Sequence, residues 1–275
     1  MKSATSPFRQ ILLQTAFAGV LVLCPHASAQ EAVPNAQELA AKLDTNLQDG
    51  SSLIRMKMEF TPVSGGPKTA LQLQVKSRRT RAATDILYQV LWPKERKGEA
   101  FLLRKSGSGA ATGSVFTLPD SLQSLSAAQM KEGIFGSDLT YADLLEDFFG
   151  WEHQAIVGEE TVDRVPCQIL ESKPGGDDRS IYSKVRSWID TKRMVPLKVE
   201  KYLSSGQLGR QVTTTRVAKD DTDRPVPASV MVQRPGQTSV TELEGSNSKH
   251  DVTFTDSDFT AEALRKLTPA TSAAK

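Results

Sequence analysis

Cysteine is scarce: the 275-residue chain has two, and only Cys167 lies beyond the first thirty residues. No disulfide can therefore form within the body of the chain, even in an oxidising compartment. Cys167 sits among Val165, Ile169 and Leu170, the setting of a buried thiol rather than of a nucleophile. Histidine offers no metal centre either, because His153 and His250 have no metal-ligand spacing near them. Gly-x-Ser-x-Gly, Cys-x-x-Cys and His-Glu-x-x-His are all missing. A Ser-His-Asp trio around His153 is a set that nearly any chain of this length furnishes, so it does not argue for catalysis. The reading is no enzyme, no metal and no cofactor. Asp177-Asp178 after Gly175-Gly176 offers too few oxygen ligands for calcium and reads as a turn.

Long apolar runs are also missing, with one exception at the start. Lys2 and Arg9 form a basic region, Ile11 to Leu23 is apolar, and Ala27-Ser28-Ala29 is a small-residue cleavage signal. This is the pattern of a secretory leader cut between Ala29 and Gln30, which points to the periplasm. The apolar run falls short of the roughly 20 residues of a membrane span, and Leu23 stands where a lipobox ending at Cys24 needs a small residue. The formal net charge is +2, and the leader carries Lys2, Arg9 and no acidic residue, so the chain beyond it is neutral. A neutral chain gives no electrostatic footprint for nucleic acid.

What remains is rich in strand patterns. Asn35 with Glu38 reads as a capping box for a short helix carrying Leu39, Leu43 and Leu47 up to Gly50. Apolar residues then alternate at Met56-Met58-Phe60, Leu71-Leu73-Val75 and Ile86-Tyr88-Val90-Trp92. Pro62, Gly65-Gly66-Pro67 and Pro93 punctuate these runs. Strands are expected at Ala100 to Arg104 and Ser114 to Leu118, and a polar stretch after Pro119 is expected to wrap the surface. Thr140 and Asp143 open a predicted helix with the apolar stripe Leu144, Leu145, Phe148 and Phe149, ended by Gly150. Seven further strands follow from Gln154 to Glu244, and a last short helix is predicted over Ala261 to Leu267, anchored by Phe259, Leu264 and Leu267. About a dozen strands and three helices, with no linker or repeat between them, imply a mainly β (α+β) chain built on one large curved antiparallel sheet.

Two segments carry a family resemblance: Val90-Leu91-Trp92-Pro93-Lys94-Glu95-Arg96-Lys97-Gly98-Glu99-Ala100-Phe101-Leu102-Leu103, and Phe135-Gly136-Ser137-Asp138-Leu139-Thr140-Tyr141-Ala142-Asp143-Leu144. Together they resemble the "outer membrane lipoprotein-sorting protein" branch of the LolA/LolB superfamily, as do Trp188-Ile189-Asp190, Pro196 to Glu200 and Tyr202. Between Pro119 and Ile134 the chain departs from the more basic, aromatic-containing strand-turn of that family. The resemblance implies a half-open antiparallel β-barrel with helices covering the mouth, and a single lipid-binding domain over residues 30–268, between the leader at 1–29 and a disordered tail at 269–275. It also implies a periplasmic carrier of a lipid or acylated lipoprotein, monomeric, dealing with an inner-membrane exporter or an outer-membrane acceptor. The rival it permits is an adaptor that docks an envelope transporter without enclosing a ligand.

Under that reading Leu71, Leu73, Val75, Tyr88, Val90, Trp92, Phe101 and Leu103 line the lipid cavity, and Leu144, Leu145, Phe148 and Phe149 form its lid. The plainer alternative makes the first group ordinary core and the second a permanently packed helix. The basic cluster Lys76, Arg78, Arg79, Arg81, Lys94, Arg96 and Lys97 is either a phosphate-contacting rim or a set of solvated strand ends.

Overall fold

Residues 35–47, 50–61, 66–80, 83–107, 111–176 and 178–266 are described in the computed structural model. The predicted leader with Cys24, and Pro62, Gly65, Arg81, Asp177, Leu267 and the tail, lie outside them. Among the described residues no helix is long and apolar enough to cross a membrane.

The first element among the described residues is helix α1 (Ala36–Leu47), whose start follows the predicted cap: Asn35 Oδ1 accepts from the Glu38 amide at 2.9 Å. Six strands follow, β1 (Ser51–Phe60), β2 (Thr69–Arg79), β3 (Ala83–Trp92), β4 (Ala100–Ser106), β5 (Thr112–Thr117) and β6 (Ser121–Ser124). After a long connection come β7 (His153–Val162), β8 (Val165–Lys173), β9 (Tyr182–Asp190), β10 (Val195–Leu203), β11 (Leu208–Lys219), β12 (Pro225–Gln233) and β13 (Val240–His250), and then helix α2 (Ala261–Lys266).

All thirteen strands form one antiparallel sheet in the order β6-β5-β4-β3-β2-β1-β13-β12-β11-β10-β9-β8-β7. Every neighbouring pair is consecutive in sequence except β1 with β13. The sheet stays unclosed, with β6 and β7 as its edges. Those edges are consecutive in the chain, so the connection between them, residues 125–152, has to run back from one edge to the other. It does so across one face, called inner here, and is referred to below as the strap.

The inner face holds the even positions of β1 and β3 and the odd positions of β2 and β4. Met58, Phe60, Leu71, Leu73, Val75, Ile86, Tyr88, Val90, Phe101 and Leu103 are all buried there. The opposite face of β3, β4 and β5 is also covered, because Phe259 and Leu264 pack on Leu87, Leu102 and Phe116. Alternation in sequence reports one buried face, yet β3 is buried continuously from Asp85 to Val90. At the other end of the sheet Leu39, Ala40 and Leu43 of α1 pack with Phe149 on Leu170 and Ile189.

Two expectations need correction. The predicted helix after Thr140 is a single 3-10 turn, Ala142–Leu145, and the chain is extended again at Glu146. Its cap does form: the Asp143 amide donates to Thr140 Oγ1 at 3.1 Å and the Thr140 amide to Asp143 Oδ2 at 3.0 Å. The helix stops because its apolar residues serve different parts of the core. Leu145 and Leu144 pack with the β2–β4 cluster, Phe149 packs under α1, and Phe148 bridges toward Trp151. The polar stretch after Pro119 supplies edge strand β6 and then part of the strap, whose Met130 and Ile134 are buried.

Candidate ligand-binding site

The inner face divides into three zones. The first is filled. Seven of the eight residues proposed for a cavity, Leu71, Leu73, Val75, Tyr88, Val90, Phe101 and Leu103, form one buried cluster with Met130, Ile134, Leu139, Tyr141 and Leu145 of the strap. Phe101 stacks on Tyr88 with ring centroids 4.8 Å apart and meets Tyr141 edge-on at 4.9 Å. Burial pushes the Tyr88 hydroxyl up to about 12. The eighth residue, Trp92, is 51% exposed. A bulge between Gln72 and Leu73 is the reason, because it pairs Trp92 with Gln72 and so turns it to the outer face.

The strap is shaped by the Gly133 to Asp138 segment. A Cβ on Gly133 would lie 1.9 Å from the Ser137 carbonyl oxygen, and Gly136 has φ +91°, so both positions need glycine. This turn aims Asp138 at the sheet. Ser239 Oγ donates to its carboxylate at 2.7 Å, and the Asp138 amide donates to Thr241 Oγ1 at 2.9 Å. The Gly-Ser-Asp motif is therefore a docking device.

The second zone is ionic and buried. Asp143 of the strap accepts from Lys201 Nζ at 2.8 Å and from Tyr182 Oη at 2.8 Å, with Arg210 Nε at 3.4 Å. Burial raises the Asp143 carboxyl, but Lys201 and Arg210 outweigh it and hold the group well below the usual carboxylate range. Burial, followed by the Asp143 charge, drives Tyr182 well above the usual phenol range. Nearby, Glu146 is raised by burial even though Ser180 Oγ donates to it at 2.8 Å. Lys201 and Arg210 face each other across the β10–β11 hairpin and Arg234 comes from the end of β12, and no local pattern marks the three as a group.

The third zone is open. A cleft of about 530 Å³ lies over β11, β12, β13 and β1, lined by Ile54, Met56, Ala218, Val226, Val230 and Leu243 among others. Ile54, Met56 and Leu243 also pack against the filled cluster, so the cleft continues the inner core outward. Asp220, Asp221 and His250 stand along the cleft too, with ligand atoms within 4.8 Å of one another. Sequence reading missed this trio because β13 and the β11–β12 turn meet only in the sheet. Asp220 is committed to its own turn: Thr222 and Arg224 donate to it, and it is lowered to about 2 against the cost of burial.

Four of the seven residues of the basic cluster are committed to contacts within the protein. Lys76 pairs with Asp258 at 2.9 Å, Arg78 pairs with Asp85 and Asp256 at 2.8 Å, and Arg79 donates to the Leu144 carbonyl at 3.2 Å. These residues fasten the C-terminal segment and the strap, while Arg96 pairs with Glu99 at 2.6 Å. Cys167 is buried and free, and burial raises its thiol.

A family model described as an uncharacterized protein matches residues 82–266, more than half of the chain. The chain belongs to that family. Its fold is LolA-like, as three solved structures show. A DUF1329 family protein from Desulfovibrio piger has a TM-score of 0.75 and 22% identity, covering 83% of this chain and 97% of its own. A domain from Vibrio parahaemolyticus described as an outer membrane lipoprotein-sorting protein gives 0.71 and 21%, covering 84% and 98%. A LolA superfamily protein from Nitrosomonas europaea gives 0.65 and 21%, covering 84% and 100%. No curated protein matches the sequence. The resemblance carried by Val90–Leu103 and Phe135–Leu144 holds for the LolA-like fold.

Proposed function

We infer that this protein binds a lipid or acylated ligand on the inner face of its LolA-like sheet and carries it through the periplasm. The observation that carries the reading is the cleft of about 530 Å³ at the centre of the sheet, with Ile54, Met56, Val226, Val230 and Leu243 in its lining and charged residues from Arg216 to Asp221 beside them, within the size range of small-molecule sites. Each methylene removed from water contributes roughly 0.8 kcal/mol, so a dozen give roughly 10 kcal/mol before ordering costs. That is ample for a carrier. The leader in the sequence supports the periplasmic location, and the fold supports traffic of lipid or lipoprotein, with an exporter or an outer-membrane acceptor as partner.

Fluorescent fatty-acid and phospholipid probes test the reading. Binding is expected in the wild type and at least about tenfold weaker in Val230→Asp and Leu243→Asp, each of which sets a charge in the cleft. Failure to bind any such probe, together with lipid-free protein recovered from the native periplasm, would overturn it.

One observation favours a second reading, that of an adaptor. The zone around Phe101 is filled by the protein's own side chains. An adaptor would be recovered with a membrane transporter in a pull-down and would bind none of the probes.

A further inference from the structure

The cations of the ionic zone form a row. Lys201 of β10 pairs directly with Arg210 of β11. Arg210 precedes Gln211, Gln211 pairs with Gln233, and Arg234 follows Gln233, so the row continues onto the end of β12. All three side chains are largely buried, at 6%, 11% and 21% exposure. The strap supplies their counter-ions, Asp143 to Lys201 and Arg210 and Asp138 to Arg234. The fit is incomplete. Arg210 Nε stands 3.4 Å from Asp143 and Arg234 Nε 3.5 Å from Asp138, yet neither buried Nε–H makes a hydrogen bond. Three cations face two aspartates and Glu146, a strap carboxyl in the field of Lys201 that burial raises, and repulsion from Arg210 adds to burial in lowering Arg234.

We propose that the Lys201–Arg210–Arg234 row is the subsite for a phosphate-bearing headgroup, occupied in the empty protein by Asp138 and Asp143 of the strap. The charges match, since a dianionic phosphate monoester replaces two carboxylates, and its tetrahedrally arranged terminal oxygens can accept from the unused Nε–H groups, where guanidinium is the favoured partner. The reach also matches. Val230, at the inner end of the cleft, is four residues from Arg234 along β12, about 13 Å in an extended strand, the span of a medium alkyl chain. A headgroup on the row thus places its chain along β12 and into the cleft, past the position that Asp138 now holds against Arg234 and Thr241. Loading and lifting of the strap become one exchange of anions.

This rests on the inner face accepting an alkyl chain, and the experiment separates the two. Dodecyl phosphate, dodecanol and inorganic phosphate are titrated against the purified wild type and the variants Arg210→Gln, Arg234→Gln and Asp143→Asn. The readout is the ratio of dodecanol to dodecyl phosphate Kd. A ratio of at least about ten is expected in the wild type, falling to within about twofold of unity in each arginine variant. Asp143→Asn removes a competing anion and should raise the ratio, the opposite of what a merely structural role would give. Equal Kd values in the wild type, or a ratio that survives both arginine substitutions, would overturn the headgroup subsite and leave the alkyl-binding reading standing. If neither alkyl compound binds, that reading fails. Inorganic phosphate then decides the row: binding abolished by Arg234→Gln identifies free phosphate as the anion, and no binding overturns the subsite as well.

Discussion

Whether the zone around Phe101 is core or cavity is open to a direct test by Phe101→Ala. The ring is fully buried and contacts three others: Tyr88 at 4.8 Å, Tyr141 at 4.9 Å and Phe135 at 5.4 Å between centroids. Truncating a packed phenylalanine costs about 3–5 kcal/mol, the lost transfer energy plus the hole left behind. Aromatic pairs contribute about 0.5–1.5 kcal/mol each beyond burial, which places this position near the upper end. For a chain of this size, about 4–5 kcal/mol lowers Tm by roughly 8–20 °C. Scanning calorimetry measures the shift, and urea titration gives the free energy independently. Adding benzene, which fits a dry apolar hole of this kind, should recover part of the loss in the variant and none in the wild type. A loss below about 1 kcal/mol would refute the packing argument, because it would mean that the ring borders space rather than neighbours.

The remaining predictions concern the strap. Asp143→Ala should cost about 3–5 kcal/mol, because it strands Lys201 and Arg210 together in the interior. Lys201→Met should cost less, since Arg210 and Tyr182 still hold Asp143, and the reverse order in urea unfolding would contradict this account. Glu146 is raised by burial, so its folded form favours the proton and its contribution to stability is lost as pH rises through the folded value. Glu146→Gln should therefore raise Tm at pH 7, with the gain vanishing near pH 4. Asp143 runs the other way: its folded carboxyl is depressed, so its contribution is full above about pH 4, the unfolded value, and is lost only as the pH falls below it.

How much of this was legible in the sequence depended on whether the determinant was local. Period-2 alternation located the strands, and for β10 the expected limits, Val195 and Leu203, are the observed ones. Asn35 and Glu38 marked the start of α1. The stripe Leu144, Leu145, Phe148 and Phe149 misled, because the same spacing serves an extended strap whose residues pack on separate clusters. What holds the strap is Asp143 with Lys201, a contact spanning 58 residues, and no local pattern carries such a contact. Trp92 was misplaced by one bulge, since a single inserted residue exchanges the two faces. The cleft was missed for a related reason. Ile54 and Met56 read as ordinary strand residues until β1 is joined to β13.

That junction has a consequence for how the protein folds. Every other pairing in the sheet is a local meander, which forms cheaply because few residues lie between its partners. The nine paired positions from Ser52–His250 to Phe60–Thr241 instead bring together the two ends of almost the entire described chain. The entropic penalty grows slowly with length, but it is incurred before any contact compensates for it. Two half-sheets should therefore gain hydrogen-exchange protection early and zip together last. Ile54 and Met56 sit on one side of that zipper and Leu243 on the other, so a molecule bound in the cleft would clasp both halves and slow their separation.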